Sequence, residues 1–258
     1  MCTLLLAHRV FPGAALVVAA NRDELLGRAS SPPLLVAGET RVLMPRDLVA
    51  GGTWLGLNER GLFVGITNRA GQPPDRTRAS RGALVVEALR APDAGALHAR
   101  LSRLEAARYN PFHLLYADGS KAFVTWCDGA KVRQQALETG LHVVTERSLG
   151  GDDRGRTERL RRLFEERLAG HAPELDPFKA LLTLHGPEGD PLGGSCVHAD
   201  VMGYGTRSGL VYVGGATPRA WWMEGHPCEA RVQDLRGMVE ELYAGRPPTS
   251  AEVGGGGH

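Results

Sequence analysis

Two stretches near the N-terminus, Thr3 to His8 and Ala14 to Ala20, are almost continuously apolar. With Phe11-Pro12-Gly13 between them they predict a hairpin. Strands apolar on both sides predict a sheet covered on both faces. Thr53 to Asn58 and Leu62 to Asn68 predict a second hairpin, turned by Asn58-Glu59-Arg60-Gly61. Helical spacing follows: Leu84, Val85, Ala88 and Leu89 share one face, with Ser80 placed to cap it. Asp93 can cap a further helix carrying Leu97, Leu101 and Leu104. His113 to Ala117 and Ala122 to Cys127 predict a third hairpin through Asp118-Gly119-Ser120. Lys131 to Glu138 and Leu141 to Val144 are expected to continue that sheet. Leu160, Leu163, Phe164 and Leu168 mark a helix with a charged outer face, and Asp176-Pro177 opens another, Asp as cap and Pro at the first position. Cys196 to Val201, Gly209 to Val213 and Arg219 to Met223 return to strand. Trp221 and Trp222 must face opposite sides of theirs, so one is expected to be exposed or at an interface.

The order is strands, helix pair, strands, helix pair, strands, with short turns between neighbouring strands. That favours an α+β architecture: two antiparallel sheets with helices outside, in one domain. The expected domain spans residues 1–246, and the Pro/Gly-rich tail 247–258 is expected to be disordered. Composition removes several classes of partner. Thirty Lys+Arg against 29 Asp+Glu give a net charge of +1, which offers no basic field for nucleic acid. No run approaches the roughly 18 apolar residues of a membrane span. The first residues lack a positive leader segment, and His8 and Arg9 interrupt the apolar run. Four cysteines in 258 residues do not make a disulfide scaffold, so reduced thiols and a cytoplasmic location are expected. The oligomeric state stays open.

Cys2 changes the picture most. A small residue after Met1 permits removal of the initiator, which would leave a thiol and a free α-amine on one residue. An α-amine with a pKa near ~8 can act as a general base, so one residue would supply nucleophile and base. Equally, Cys2 could be a small apolar residue opening a buried strand. Asn21-Arg22-Asp23-Glu24 ends the second strand as a polar run. Arg22 could lower the thiol pKa, and Asp23 could hold the amine. The two point to opposite faces of a regular strand, so a common site needs a bulge or a strand end there. A solvated Arg–Asp pair is the other reading.

Met1-Cys2-Thr3, Asn21-Arg22-Asp23-Glu24, Arg46-Asp47, the run Gly51 to Asn58, Gly61 and Thr67-Asn68 stand in a distinctive order. Together they resemble the NRDE family, also called transport and Golgi organisation family 2. Tyr109-Asn110-Pro111-Phe112 and Tyr204-Gly205-Thr206-Arg207-Ser208 look like its later motifs. The resemblance implies the N-terminal nucleophile hydrolase fold, a four-layer α-β-β-α sandwich. The start also looks like the choloylglycine hydrolases and penicillin V acylases, amidases with a mature N-terminal Cys. On that likeness Asn68, in Gly65-Ile66-Thr67-Asn68, would bind a tetrahedral oxyanion, an interaction often worth roughly 3 kcal/mol per donor. Arg207 resembles a further site arginine; in a Gly-flanked turn it could also be a plain surface charge. One position departs from the amidase pattern. Glu146, in Val144-Thr145-Glu146-Arg147, stands where a second oxyanion Asn is expected, and a carboxylate only accepts hydrogen bonds unless protonated.

Two further chemistries are open. Cys196 with His198, and His226 with Cys228, form two alternating pairs that could hold a tetrahedral zinc. Neither spacing is that of a zinc finger, and Pro227 interrupts the second, so no metal is expected. Members of the resembled family are linked to haem trafficking and acyl-lipid metabolism. His8, His113, His142 and His198 are candidate axial ligands, although no haem-attachment motif is present. The reading is therefore an N-terminal cysteine amidohydrolase acting on a small acylated substrate through Cys2, Arg22, Asp23, Asn68 and Arg207. It requires no cofactor. The alternative is a carrier of haem or another hydrophobic metabolite.

Overall fold

A computed structural model describes residues 2–71, 73–149, 154–168 and 172–245. Met1 and the tail 247–258 lie outside them. The first hairpin is β1 (Cys2–Phe11) and β2 (Ala14–Leu25). Then come β3 (Ser30–Val36), β4 (Val42–Asp47), β5 (Leu55–Asn58), β6 (Phe63–Asn68), α1 (Arg81–Ala88) and α2 (Ala94–Leu101). Next are β7 (Phe112–Ala117), β8 (Ala122–Cys127), β9 (Val132–Leu137), β10 (Gly140–Val144), α3 (Arg154–Leu168) and α4 (Leu175–Leu182). The chain finishes with β11 (His198–Ala199), β12 (Tyr204–Val213), β13 (Arg219–Glu224), β14 (Val232–Asp234) and α5 (Arg236–Tyr243).

Every strand pairs antiparallel. One sheet runs β10-β1-β2-β12-β13-β14, with β11 beside β12, and the other runs β3-β4-β5-β6-β7-β8-β9. The N-terminal hairpin lies in the middle of the first sheet because its strands are apolar on both faces. Leu4, Leu6, Val18, Ala20 and Leu210 face the second sheet. Leu5, Ala7, Val17, Ala19 and Val211 face Phe164, Phe178 and Leu181 of α3 and α4. The second sheet is covered in the same way. A side-chain carbon at Gly65 would approach Leu4 of the first sheet at 3.2 Å, whereas one at Gly56 would meet Leu89, just past α1, at 2.7 Å. The result is the expected four-layer α-β-β-α sandwich.

Both predicted caps form: Ser80 and Asp93 accept hydrogen bonds from the N–H groups of Ala83 and Ala96. Four expectations change. β9 and β10 do not share a sheet, because the chain crosses from one sheet to the other between them. α4 starts at Leu175, so Asp176 sits in its first turn rather than at its cap; the earlier start lets Leu175 pack against the outer core. Cys196 to Val201 contributes only the short β11 before a tight turn. Trp221 and Trp222 do face opposite ways, yet both are buried, since helices cover one face and a sheet the other. β3 escapes sequence reading because Pro32-Pro33 interrupts it. It survives as an edge strand whose register shifts between Ser31 and Leu34.

Candidate active site around Cys2

Strand register builds the site. Cys2 pairs with Arg22, and Arg22 pairs on its other side with Ser208, which pairs with Glu224. This row continues the Leu4, Ala20 and Leu210 row that faces the second sheet, so Cys2 opens onto the mouth of the sandwich. The Arg22 guanidinium lies 4.3 Å from the centre of the Trp54 ring and 3.8 and 3.9 Å from Glu24 and Asp47 carboxylate oxygens. Trp54 belongs to the loop leading into β5, so the second sheet holds the arginine that stands beside Cys2. Asp47 is itself fixed. Burial alone would raise its carboxyl, but hydrogen bonds from Arg28 and the N–H groups of Ala50 and Val49 hold it below the ordinary value. Burial raises the Cys2 thiol, and the Arg22 charge acts the other way. A resting thiol in this setting keeps its proton, so attack needs a base.

Asp23 faces the helices, with Thr3 and Asn21 on the opposite side from Cys2. Its carboxylate accepts from Thr206 Oγ1 at 2.5 Å, and its backbone carbonyl accepts from Tyr204. Burial raises Asp23 from 3.8 to about 6, partly offset by the Thr206 bond and the Arg156 charge. Asn21 donates to the carbonyls of Leu182 and Ser195, both at 2.8 Å. The bulge that the motif calls for lies in β12, between Thr206 and Ser208, rather than in β2. It shifts the pleat of β12, so Ser208 stays beside Arg22 while Thr206 turns to Asp23. Arg22 and Asp23 thus remain on opposite faces, and the structure joins them through the strand backbone rather than in one pocket.

Glu146 follows β10, one strand from Cys2, and is 4% exposed. Arg156 of α3, also buried, donates to both of its oxygens at 2.9 and 3.2 Å. The same guanidinium reaches Thr3 Oγ1 at 3.1 Å and the Gly194 carbonyl at 2.8 Å. The carboxylate that replaces an amide in the resembled pattern is therefore one half of a buried ion pair. Asn68 ends β6 with its side chain exposed. Its strand end is tied to the same region, because Ala70 N–H donates to the Glu146 carbonyl at 2.8 Å. Arg207 sits in the β12 bulge and donates to the Leu26 carbonyl at 2.5 Å; no hydrogen bond joins it to Cys2 among the described residues.

Arg81, at the start of α1, is absent from the motif reading. It donates to the Pro111 carbonyl at 2.9 Å, and it and Cys2 lie close enough to interact electrostatically. Arg156 is likewise unmarked, one arginine among several on a charged helix. Five of the six large apolar side chains exposed among the described residues are Leu25, Leu48, Val49, Val201 and Met202. Backbone bonds from Leu26 to Gly203 and from Leu48 to Ala29 bring their turns together near the end of β2.

The family model described as "Transport and Golgi organisation 2" matches residues 1–188. The human transport and Golgi organization protein 2 homolog is 33% identical over 110 residues, 42% of this chain and 40% of that protein. The bovine homolog is 32% identical over 106 residues, 40% of this chain and 38% of that protein. The matched region thus spans about two fifths of these relatives' length. Among solved structures, a variant of conjugated bile acid hydrolase from Clostridium perfringens superposes with a TM-score of 0.58 at 10% identity, covering 94% of both chains. The Caenorhabditis elegans N-acylethanolamine-hydrolyzing acid amidase ortholog gives 0.55 at 12% identity, covering 82% of this chain and 92% of that one. At such identities the likeness is one of fold.

Proposed function

Since the chain belongs to the transport and Golgi organisation 2 family, on a fold shared with N-terminal nucleophile hydrolases, we propose that it is a cysteine amidohydrolase of small acylated amines. The observation that carries this reading is the placement of Cys2: first residue of β1, at the mouth of the sandwich, paired with an arginine that the second sheet holds in place. After loss of Met1, the α-amine of Cys2 takes the thiol proton as sulfur attacks the amide carbonyl. Arg22 stabilises the developing thiolate, and the Asp23 carboxylate, on the other face of β2, favours the α-ammonium by its charge. Asn68, at the end of β6, supplies a donor to the oxyanion. Collapse returns the proton to the leaving amine and leaves a thioester. Water, deprotonated by the same amine, releases the carboxylic acid and restores the thiol. The exposed apolar turns around Leu25, Leu48 and Val201 suit an acyl chain. No helix among the described residues is long and apolar enough to cross a membrane. A cytoplasmic site for the reaction is part of the proposal and rests on the four unpaired thiols.

The Glu146–Arg156 pair favours a second reading, a carrier of haem or another hydrophobic metabolite, because it leaves no amide donor at that position. Against axial haem ligation, His113 is bonded to Thr67 and Ser148, and His142 to the Glu138 carbonyl. Intact mass spectrometry of protein made in cells, followed by turnover of an N-acyl amine panel, separates the two readings. Loss of Met1 and abolition of turnover in Cys2→Ala, with an unchanged circular dichroism spectrum, are expected. Retained Met1 or equal activity in Cys2→Ala would reject catalysis by Cys2. A haem titration saturating at one equivalent in a protein without turnover would favour the carrier.

A further inference from the structure

The segment between α4 and β12 and the turn after β13 carry chemistry that the Cys2 site does not use. His185 follows α4, Cys196 lies two positions before β11, His198 is the first residue of β11, and Cys228 lies in the turn after β13. One ligand atom from each of these four lies within 4.8 Å of every other. Cys196 Sγ is 3.5 Å from Cys228 Sγ and 3.6 Å from His198 Nε2, and His198 Nε2 is 3.1 Å from Cys228 Sγ. A tetrahedron with metal–sulfur and metal–nitrogen bonds of the zinc type has edges of about 3.4–3.8 Å. Cys196, His198 and Cys228 thus already stand near three corners of such a tetrahedron, and a ligand atom of His185 lies within 4.8 Å of each of them.

We propose that His185, Cys196, His198 and Cys228 form a Cys2His2 site for zinc. Two thiolates and two imidazoles are the donor set that selects this ion over hard cations. Four protein ligands close the coordination sphere, which makes the site structural rather than catalytic. Binding releases the two thiol protons to solvent, and the two thiolates neutralise the ion. His226, the fourth candidate from sequence spacing, stacks on His198 at 3.9 Å and lies 3.5 Å from Asp200, outside this set. His185 takes the fourth corner instead. The spacing alone points to no metal because the fourth ligand is 11 positions before Cys196, in a loop whose path the local sequence does not reveal.

The site would add a metal clamp to a loop that hydrogen bonds already hold, among them Arg156 to the Gly194 carbonyl and Cys196 N–H to the Leu184 carbonyl. Among the described residues, the stretch from Thr183 to Val197 contains no regular element. Yet Ser195 in it accepts from Asn21, and Val197 N–H donates to Thr206, the partner of Asp23. Zinc would therefore hold the loop that backs the Asp23 side of β2.

The test uses the full chain, purified with a non-chelating reductant. Elemental analysis is expected to find one zinc per chain. After chelation, one equivalent of cobalt(II) should give thiolate charge-transfer and tetrahedral d–d absorption. Cys228→Ser and His185→Ala, both chosen at the exposed side of the site, should lose the metal and the bands while keeping their circular dichroism spectra. His226→Ala and Cys2→Ala should keep both, so the result stands apart from the fate of the amidase reading. Folded wild-type protein that retains no zinc and gives no cobalt bands would overturn the proposal. So would metal lost in His226→Ala and kept in His185→Ala, or a Cys196–Cys228 disulfide under the same reducing conditions.

Discussion

Asp23 is the residue whose chemistry most depends on where the fold puts it. In the sequence it sits beside Arg22; in the structure it lies under the helices, bonded to Thr206 and raised to about 6, chiefly by burial. A carboxyl whose folded value exceeds its unfolded one takes up protons on folding. Its contribution to stability is full below about pH 4 and is lost as pH rises through about 6. The shift corresponds to at most about 3 kcal/mol. Urea denaturation of wild type and Asp23→Asn from pH 4 to 7 should show wild type losing stability relative to the variant across that window. A flat difference would mean that Asp23 titrates at its ordinary value. If the Asp23 charge favours the Cys2 ammonium, kcat/KM should also fall on the acid side near pH 6 in wild type.

Between elements, the ion pair of Glu146 and Arg156 does the joining. It ties the end of β10 to α3, and through Thr3 and Gly194 it also reaches β1 and the loop before β11. Removing one member of a buried pair leaves an uncompensated charge and typically costs 3–5 kcal/mol. Arg156→Met is expected to cost about that much. The double variant Arg156→Met/Glu146→Leu should recover a large part of it, read as the coupling in a double-mutant cycle. Additive single and double effects would show that the pair does not act as a unit. The bulge in β12 belongs to this scale too. One extra residue in a neighbouring strand lets Ser208 stay with Arg22 while Thr206 bonds Asp23, and no residue within β2 signals it.

For the whole molecule, the packing of two sheets sets the position of Cys2. Leu4, one pleat inward on the same face, is 2% exposed and packs near Gly65 and Phe63 of the second sheet. Leu4→Ala should destabilise by about 2–5 kcal/mol, through lost burial and a cavity beneath Cys2. The midpoint of urea unfolding should fall with an unchanged slope, and a loss below ~1 kcal/mol would show that the sandwich collapses freely around the gap. Much of this frame is legible along the chain. Apolar runs on both sides of Thr3 to His8 and Ala14 to Ala20 imply a sheet buried on both faces, and Ser80 and Asp93 mark helix starts that form as expected. β3 is not legible, because two prolines mask a strand that only its edge position permits.

The sequence by itself determined the elements that follow from local periodicity, the family through its ordered motifs, and the thiol next to the initiator Met. These depend on neighbours a few positions apart. The tertiary structure alone decided which polar groups meet. It separated Arg22 from Asp23 across a sheet, brought Arg156 to Glu146, and put His185 rather than His226 beside Cys196, His198 and Cys228. Those outcomes rest on strand register, one bulge and the path of a long loop, and each couples residues whose separation in the chain carries no periodic trace.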